Sequence, residues 1–393
     1  MSRYHHVLVK SGLLLVFLLL GVPARACANE ALSVKLDQLA EEHGIHGGLI
    51  VHLGCGEGLQ TVTLRRGTGF IVHGLDVSKE VIRAARSTAA KHEGYGSVSF
   101  DWWDGRHLPY TDNLVNLVIA EKTGDVSQDE LMRVPAPNGV LLVNKNGQWQ
   151  KTVKPWPDQF DQWTHYLHGA DGNPVAQDSA VGPPRRVQWL GDPQWSRHHD
   201  HMASLTSLVS AQGRLFYILD EGPRSSIQLP SDWQLIARDA FNGTILWKRK
   251  IEQWNTRQYP LKSGPAHLLR RLVAEGNRVY VTLGIDDPVT ALDAATGEVV
   301  STFAGSQFTR EIIVSGDTMF CVADRGPSQL PGWRRVSPYV WDNTRRANPD
   351  LGWHGTTRQV LAYDTSSGDL QWKAETPVAP CSLAADGERV VLH

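Results

Sequence analysis

The chain has 393 residues, 41% hydrophobic and 20% charged, with a formal net charge of -2. That is ordinary globular material for two or three domains, and without clustered Lys and Arg on a basic domain no nucleic-acid partner is expected. The 14 Trp and 36 Gly stand out, and many Trp among glycine-containing turns suit repeated β structure with one aromatic motif per unit.

The N-terminus reads as a secretory signal over residues 1–28. Arg3 and Lys10 supply positive charge, Gly12 to Val22 is apolar and uncharged, and Ala24-Arg25-Ala26 offers a small-x-small cleavage site. The apolar run is shorter than the roughly 20 residues a spanning helix needs, so no transmembrane helix is expected in the mature chain. Cys27 follows the cleavage site and raises lipid anchoring as an alternative, although Ala24 and Arg25 fit a lipobox poorly. The localisation expected is the periplasm or cell envelope. The four cysteines do not make a disulfide scaffold; only Cys321 and Cys381 are candidates to pair, and the sequence leaves their state open.

From 29 to 150, helix and strand patterns alternate. Ala31 to Glu42 predicts an amphipathic helix with Leu32, Leu36, Leu39 and Ala40 on one face. Gly48 to Leu53 predicts a buried parallel strand, and Gly69 to Leu75 a second. Ser78 should cap a helix reaching about His92, with Glu80 in its first turn. Val98 to Trp102, Leu114 to Ala120 and Val140 to Asn144 complete five strands. Alternation of this kind implies a mainly parallel sheet covered on both faces. Gly54-Cys55-Gly56-Glu57-Gly58 follows the first strand, and Asp76 ends the second. Glycines there let a ligand approach the backbone at the carboxyl edge, and a carboxylate at that strand end can accept two ribose hydroxyls.

The pieces VHLGCGEG (51–58), HGLDVS (73–78), DWWDGRHLPY (101–110), NLVNLVIAE (113–121) and RVPAPNGVLLV (133–143) resemble a class I S-adenosylmethionine-dependent methyltransferase, an α/β Rossmann-like fold. The resemblance implies S-adenosylmethionine over Gly54, Gly56 and Gly58, with Asp76 on the ribose and Asp104 near the adenine amine. The sequence departs from the family in three places. His52 stands where the family has an acid that helps hold the cofactor's ammonium. Pro135 stands where a Leu is usual. The domain is expected to end after its fifth strand, without the family's antiparallel pair. A supporting role without catalysis is therefore the leading expectation, since fold does not imply function.

After a linker at 151–162, residues 163–393 carry internal repeats. Ala-x-Asp-x3-Gly-x3-Trp occurs in full at Ala237, Asp239, Gly243, Trp247 and at Ala362, Asp364, Gly368, Trp372. Ala291, Asp293 and Gly297 repeat it with Ser301 in place of Trp. The pattern predicts a hairpin whose Asp accepts from turn amides and whose Gly takes positive φ, with the Trp ring buried between sheets. Turn-plus-strand elements recur before each hairpin, at 213–219, 276–283 and 316–322, and again at 387–392.

These repeats, with WTHYLHGADGNPVAQD (163–178) and PPRRVQW (183–189), resemble the β-propeller blades of PQQ-dependent quinoproteins and of the assembly lipoprotein BamB. The order of the two parts resembles planctomycete-type exported proteins. The propeller looks incomplete, about three blades plus the start of a fourth, with an insertion over 324–358. Its ring would be completed by further sequence or by another chain. PQQ is not expected, because a quinoprotein dehydrogenase needs a closed ring and often a vicinal cysteine pair, and no Cys-Cys pair is present. His199 and His201, with His165 or His168, are candidate metal ligands, but no spacing there is diagnostic, and no metal is expected. The function expected is cell-envelope binding or assembly with a protein partner. The alternatives are a methyltransferase and a quinoprotein-like oxidoreductase.

Overall fold

The computed structural model describes residues 36–39, 41–92, 96–180, 182–183, 186–195, 197, 204–225, 229–252, 254, 266–327, 356–379 and 381–393. The signal segment with Cys27, His198 to His201 and most of the expected insertion lie outside them. No described helix is long and apolar enough to cross a membrane.

The first domain is a six-stranded sheet in the order β3-β2-β1-β4-β5-β6. Its strands are β1 (Gly48–Leu53), β2 (Phe70–Asp76), β3 (Val98–Trp102), β4 (Val115–Ala120), β5 (Pro135–Lys145) and β6 (Gln148–Val153). The first five pair in parallel. Ile50, Val72, Leu117 and Leu142 face one core and Val51, Leu53, Val118 and Leu141 the other, so the apolar runs are buried on both sides. Helical residues at 36–39 and 41–43 precede β1, and the later helices are α1 (Leu59–Thr63), α2 (Lys79–Ala89) and α3 (Gln128–Arg133). Ser78 caps α2 by accepting from the Val81 amide at 3.3 Å, as its sequence signal requires.

The sheet does not end after five strands. β6 pairs antiparallel with β5 across Asn146 and Gly147, both at positive φ. Asn-Gly between two strands is the sequence signature of such a hairpin, because both turn positions require left-handed backbone. The strand reaches Val153, past the boundary expected at 150.

The second part contains three four-stranded antiparallel sheets, β10-β9-β8-β7, β11-β12-β13-β14 and β15-β16-β17-β18, followed by the two-stranded β19-β20. Their ranges are β7 (Leu205–Ala211), β8 (Arg214–Asp220), β9 (Trp233–Asp239), β10 (Ile245–Lys250), β11 (Leu272–Glu275), β12 (Arg278–Thr282), β13 (Val289–Asp293), β14 (Val299–Thr302), β15 (Thr309–Ser315), β16 (Thr318–Ala323), β17 (Thr356–Asp364), β18 (Leu370–Val378), β19 (Ala384–Ala385) and β20 (Val390–Val391). This is a partial propeller: three blades and the opening strands of a fourth. The expected insertion joins β16 to β17 and is largely outside the described residues.

The hairpin repeat follows from its geometry. Asp239 Oδ1 accepts from the amides of Phe241 and Asn242 at 2.8 and 2.9 Å, and Asp293 and Asp364 hold their turns the same way. Gly243, Gly297 and Gly368 have φ of 75°, 74° and 79°, a region that favours glycine. The motif's Ala and Trp are cross-strand partners, Trp247 opposite Ala237 and Trp372 opposite Ala362. A small residue directly opposite leaves room for the ring.

Each ring that has a following blade caps that blade's turn. Trp247 donates Nε1–H to the Ala294 carbonyl at 3.1 Å, and a Cβ at Gly297 would lie 2.7 Å from its ring. Trp189 does the same to the first blade, donating to the Ala240 carbonyl at 2.9 Å over Gly243. Ser301 takes this place against Gly368. Trp372 departs from expectation: it is 40% exposed and rests on Phe320 alone among the described rings. Trp247 is half-buried between two blades, while Trp372 has no neighbouring turn over its ring among the described residues, so the expected burial between blades holds in part for Trp247 and not for Trp372.

One segment ties the blades together. Trp163 O accepts from Ser210 on β7, Thr164 O from Ala274 on β11, His165 Nε2 from Val314 on β15, and Ala170 O from Ala385 on β19. Residues 163–170 therefore run across the innermost strands in blade order. His165 has its second nitrogen on Thr164 Oγ1 at 2.7 Å, and His168 Nε2 is 2.7 Å from Asp161 Oδ2. Both rings weighed as metal ligands are thus engaged in the propeller's own hydrogen bonds. Cys55, Cys321 and Cys381 are free thiols.

The propeller docks on the amino edge of the α/β sheet. Asn116, second residue of β4, accepts from Leu49 N at 2.8 Å and Asn242 Nδ2 at 2.7 Å, and donates to Asp239 Oδ2 at 2.6 Å. Asn242 also donates to the Leu114 carbonyl, and Arg214 to the Gly44 carbonyl. A Cβ at Gly48 would lie 2.0 Å from the Asn116 amide oxygen, so only glycine leaves the space this asparagine fills. Burial pushes the Asp239 carboxyl above its ordinary range, while hydrogen bonds from Asn116 and the turn amides pull it back.

Candidate functional site

The opposite, carboxyl edge of the sheet carries the glycine turn. It lies where the strand order reverses between β1 and β4, the place where open α/β sheets bind ligands. Gly54, Gly56 and Gly58 all have positive φ. At Gly58 a Cβ would meet Phe100 at 2.7 Å and Ala85 at 3.0 Å, so glycine there permits close packing of α1 against α2 and β3. At Gly56 a Cβ would meet nothing within 4 Å; the turn's centre is open.

Asp76 holds the turn. Its Oδ2 accepts from Gly56 N at 3.3 Å and its Oδ1 from Ser78 N at 3.0 Å, so one carboxylate links the glycine turn to the start of α2. Asp104 is close along the same edge, since Trp103 N donates to the Asp76 carbonyl. Its own carboxylate accepts from Arg106 N and His107 N, and these two bonds hold it below the usual carboxylate range. The five residues named from sequence are therefore brought to one edge, with Asp76 tied to the turn and Asp104 at the start of the following loop.

Cys55 is buried within the turn. Burial, then the Asp76 and Glu121 carboxylates, push its thiol up to about 12. It is a neutral packing group at physiological pH, not a nucleophile.

The residue at the missing-acid position turns inward. His52 is 1% exposed and its Nδ1 lies 2.9 Å from Thr61 Oγ1 of α1. Its Nε2 has no hydrogen-bond partner among the described residues and points toward Glu121 Oε1 at 3.6 Å. Glu121 follows β4 directly and donates its amide to the Leu53 carbonyl beside the turn. The sequence reading passed over Glu121; a carboxylate closing an apolar strand at the carboxyl edge was the available signal. No cluster of His, Cys, Asp and Glu suited to a metal occurs among the described residues.

The comparisons match the two parts separately. The family described as "Methyltransferase domain" matches residues 50–139, and the family described as "Outer membrane protein assembly factor BamB" matches residues 231–393. Methyltransferase GfsG of Streptomyces halstedii is 32% identical over 114 residues, 27% of this chain and 41% of the relative. Norajmaline N-methyltransferase of Rauvolfia serpentina is 29% identical over 100 residues, 24% of this chain and 34% of the relative. The chain thus spans about two fifths or less of these relatives' length. Among solved structures, geranyl diphosphate C-methyltransferase of Streptomyces coelicolor is 20% identical over 31% of this chain and 52% of that one, with a TM-score of 0.27. Residues 50–139 are thus similar to methyltransferase domains and residues 231–393 to the BamB family, on an α/β domain followed by a partial propeller.

Proposed function

We propose that this chain is a binding and assembly protein of the cell envelope. Its α/β domain holds S-adenosylmethionine or its demethylated product, and its propeller segment docks protein. The observation that carries the reading is the placement of the domain junction. Asn116, Asp239 and Asn242 join the two parts at the amino edge, which leaves the glycine turn on the far edge open at Gly56. The apolar N-terminal run, the cleavage site at Ala26 and the match to an outer-membrane assembly factor support the envelope. The exposed outer face of the third blade, with Leu370 and Trp372, supports a protein partner or further blade there.

Methyl transfer is the second reading, favoured by the methyltransferase matches over the turn itself. Both readings require the ligand. Titration calorimetry of the chain with S-adenosylhomocysteine should show saturable binding. Asp76→Asn should weaken it about ten- to a hundredfold, the worth of a hydrogen bond to a charged acceptor. A wild-type chain that does not bind would leave the α/β domain a support without a ligand.

A further inference from the structure

We propose that Glu121, at the end of β4, receives the cationic end of the ligand held at the glycine turn, and that the buried His52 positions it; this rests on the reading of the turn as an adenosyl-ligand site. An S-adenosyl amino acid brings an α-ammonium to the site, and a buried or half-buried ammonium needs a carboxylate. Several described carboxylates stand at this edge, and two of them are already engaged. Asp76 has an oxygen on Gly56 N and an oxygen on Ser78 N. Asp104 caps its own turn through Arg106 N and His107 N. Glu57 in the turn and Glu121 both accept no hydrogen bond within 3.5 Å among the described residues, but Glu57 is exposed, whereas Glu121 is half-buried and faces the buried His52 at 3.6 Å.

Its location fits. The Glu121 amide is bonded to the carbonyl of Leu53, the residue before Gly54. The next residue, Lys122, lies against Gly54, 3.0 Å from where a Cβ would be. Glu121 keeps 29% of its side chain exposed, whereas His52 keeps 1%. Position 52 therefore faces the core under α1, and position 121 the rim of the turn.

The histidine sets the carboxylate's direction. A lone pair on Nε2 facing a carboxylate would repel it, so the proton belongs on Nε2 and the Thr61 hydroxyl donates to Nδ1. That chain, Thr61 to His52 to Glu121, leaves a buried N–H aimed at Glu121 and explains why Nε2 lacks another partner. Replacing the usual acid by histidine has then not removed the charge from the site; it stands one strand over.

Two probes separate this from the underlying reading. 5′-Methylthioadenosine lacks the amino-acid end; S-adenosylhomocysteine has it. Titrated against the full chain, wild type should prefer S-adenosylhomocysteine. Glu121→Gln should lose about tenfold or more for S-adenosylhomocysteine, the scale of a charge-assisted bond, and stay within about twofold for methylthioadenosine. His52→Asp would crowd a second carboxylate against Glu121 and should also weaken S-adenosylhomocysteine. Equal binding of both probes with Glu121→Gln indifferent, or tighter binding by His52→Asp, would overturn Glu121 while keeping the adenosyl site. Binding of neither probe would overturn both.

Discussion

Trp247→Ala should destabilise the propeller segment by about 3 kcal/mol, whereas Trp372→Ala should cost less than about 1 kcal/mol. The two residues occupy the same place in a repeat that is identical at every motif position, so a local reading makes them equal. They differ in what lies beyond them. Trp247 packs on Phe216 of its own blade, caps the Gly297 turn of the next and donates to the Ala294 carbonyl. Its loss removes ring contacts from both blades and leaves that carbonyl without its ring donor. Trp372 has the first contact, with Phe320, and is 40% exposed on the other side. Ser301→Ala should be neutral. Urea unfolding followed by far-ultraviolet circular dichroism gives the three values; similar effects of the two Trp substitutions would mean that the turn over Gly297 carries no energy.

Acid should loosen the propeller between pH 6.5 and 4 through His165. Burial holds this imidazole down to about 4 from its ordinary 6.5, and its Nε2 accepts the Val314 amide at 3.0 Å. The bond requires the neutral ring. Because the folded group binds its proton more weakly than the unfolded one, the stability is fully present above 6.5 and is lost as pH falls through 4. The loss amounts to at most about 3 kcal/mol. His165→Leu should be less stable at neutral pH, since it orphans the Val314 amide, and its stability should fall less between pH 6.5 and 4. Parallel pH profiles for wild type and variant would show that His165 is not the group titrating.

The elements that local chemistry dictates were legible. Strand β1, the Ser78 cap and the Asp-x3-Gly turns depend on neighbours within a few residues, and each appears where its signal stands. Strand β6 was legible too, in Asn146-Gly147, but the expectation of a sheet ending at the fifth strand hid it. The junction was not legible. Asn116 and Asp239 are 123 residues apart, and neither is unusual in its own segment. The exposure of Trp372 was hidden for the same reason: it is a property of the neighbouring blade. At the candidate site, Gly54, Gly56, Gly58 and Asp76 were read from spacing and do converge. The inward turn of His52 depends on Thr61, nine residues away on α1, and the facing carboxylate on another strand, so substitution of the acid looked like a simple loss of charge.

A candidate ligand edge stands open on one side of the α/β sheet while the propeller is locked to the other. Hydrogen–deuterium exchange of the full chain, with and without S-adenosylhomocysteine, tests it most directly. The account predicts slower exchange at 54–58 and 76–78 on ligand addition, with no change at 239–243 or 163–170. Those last two segments should already be protected without ligand, by the junction and the inter-blade bonds. Ligand protection centred on 239–243, or fast exchange there in the free chain, would contradict it.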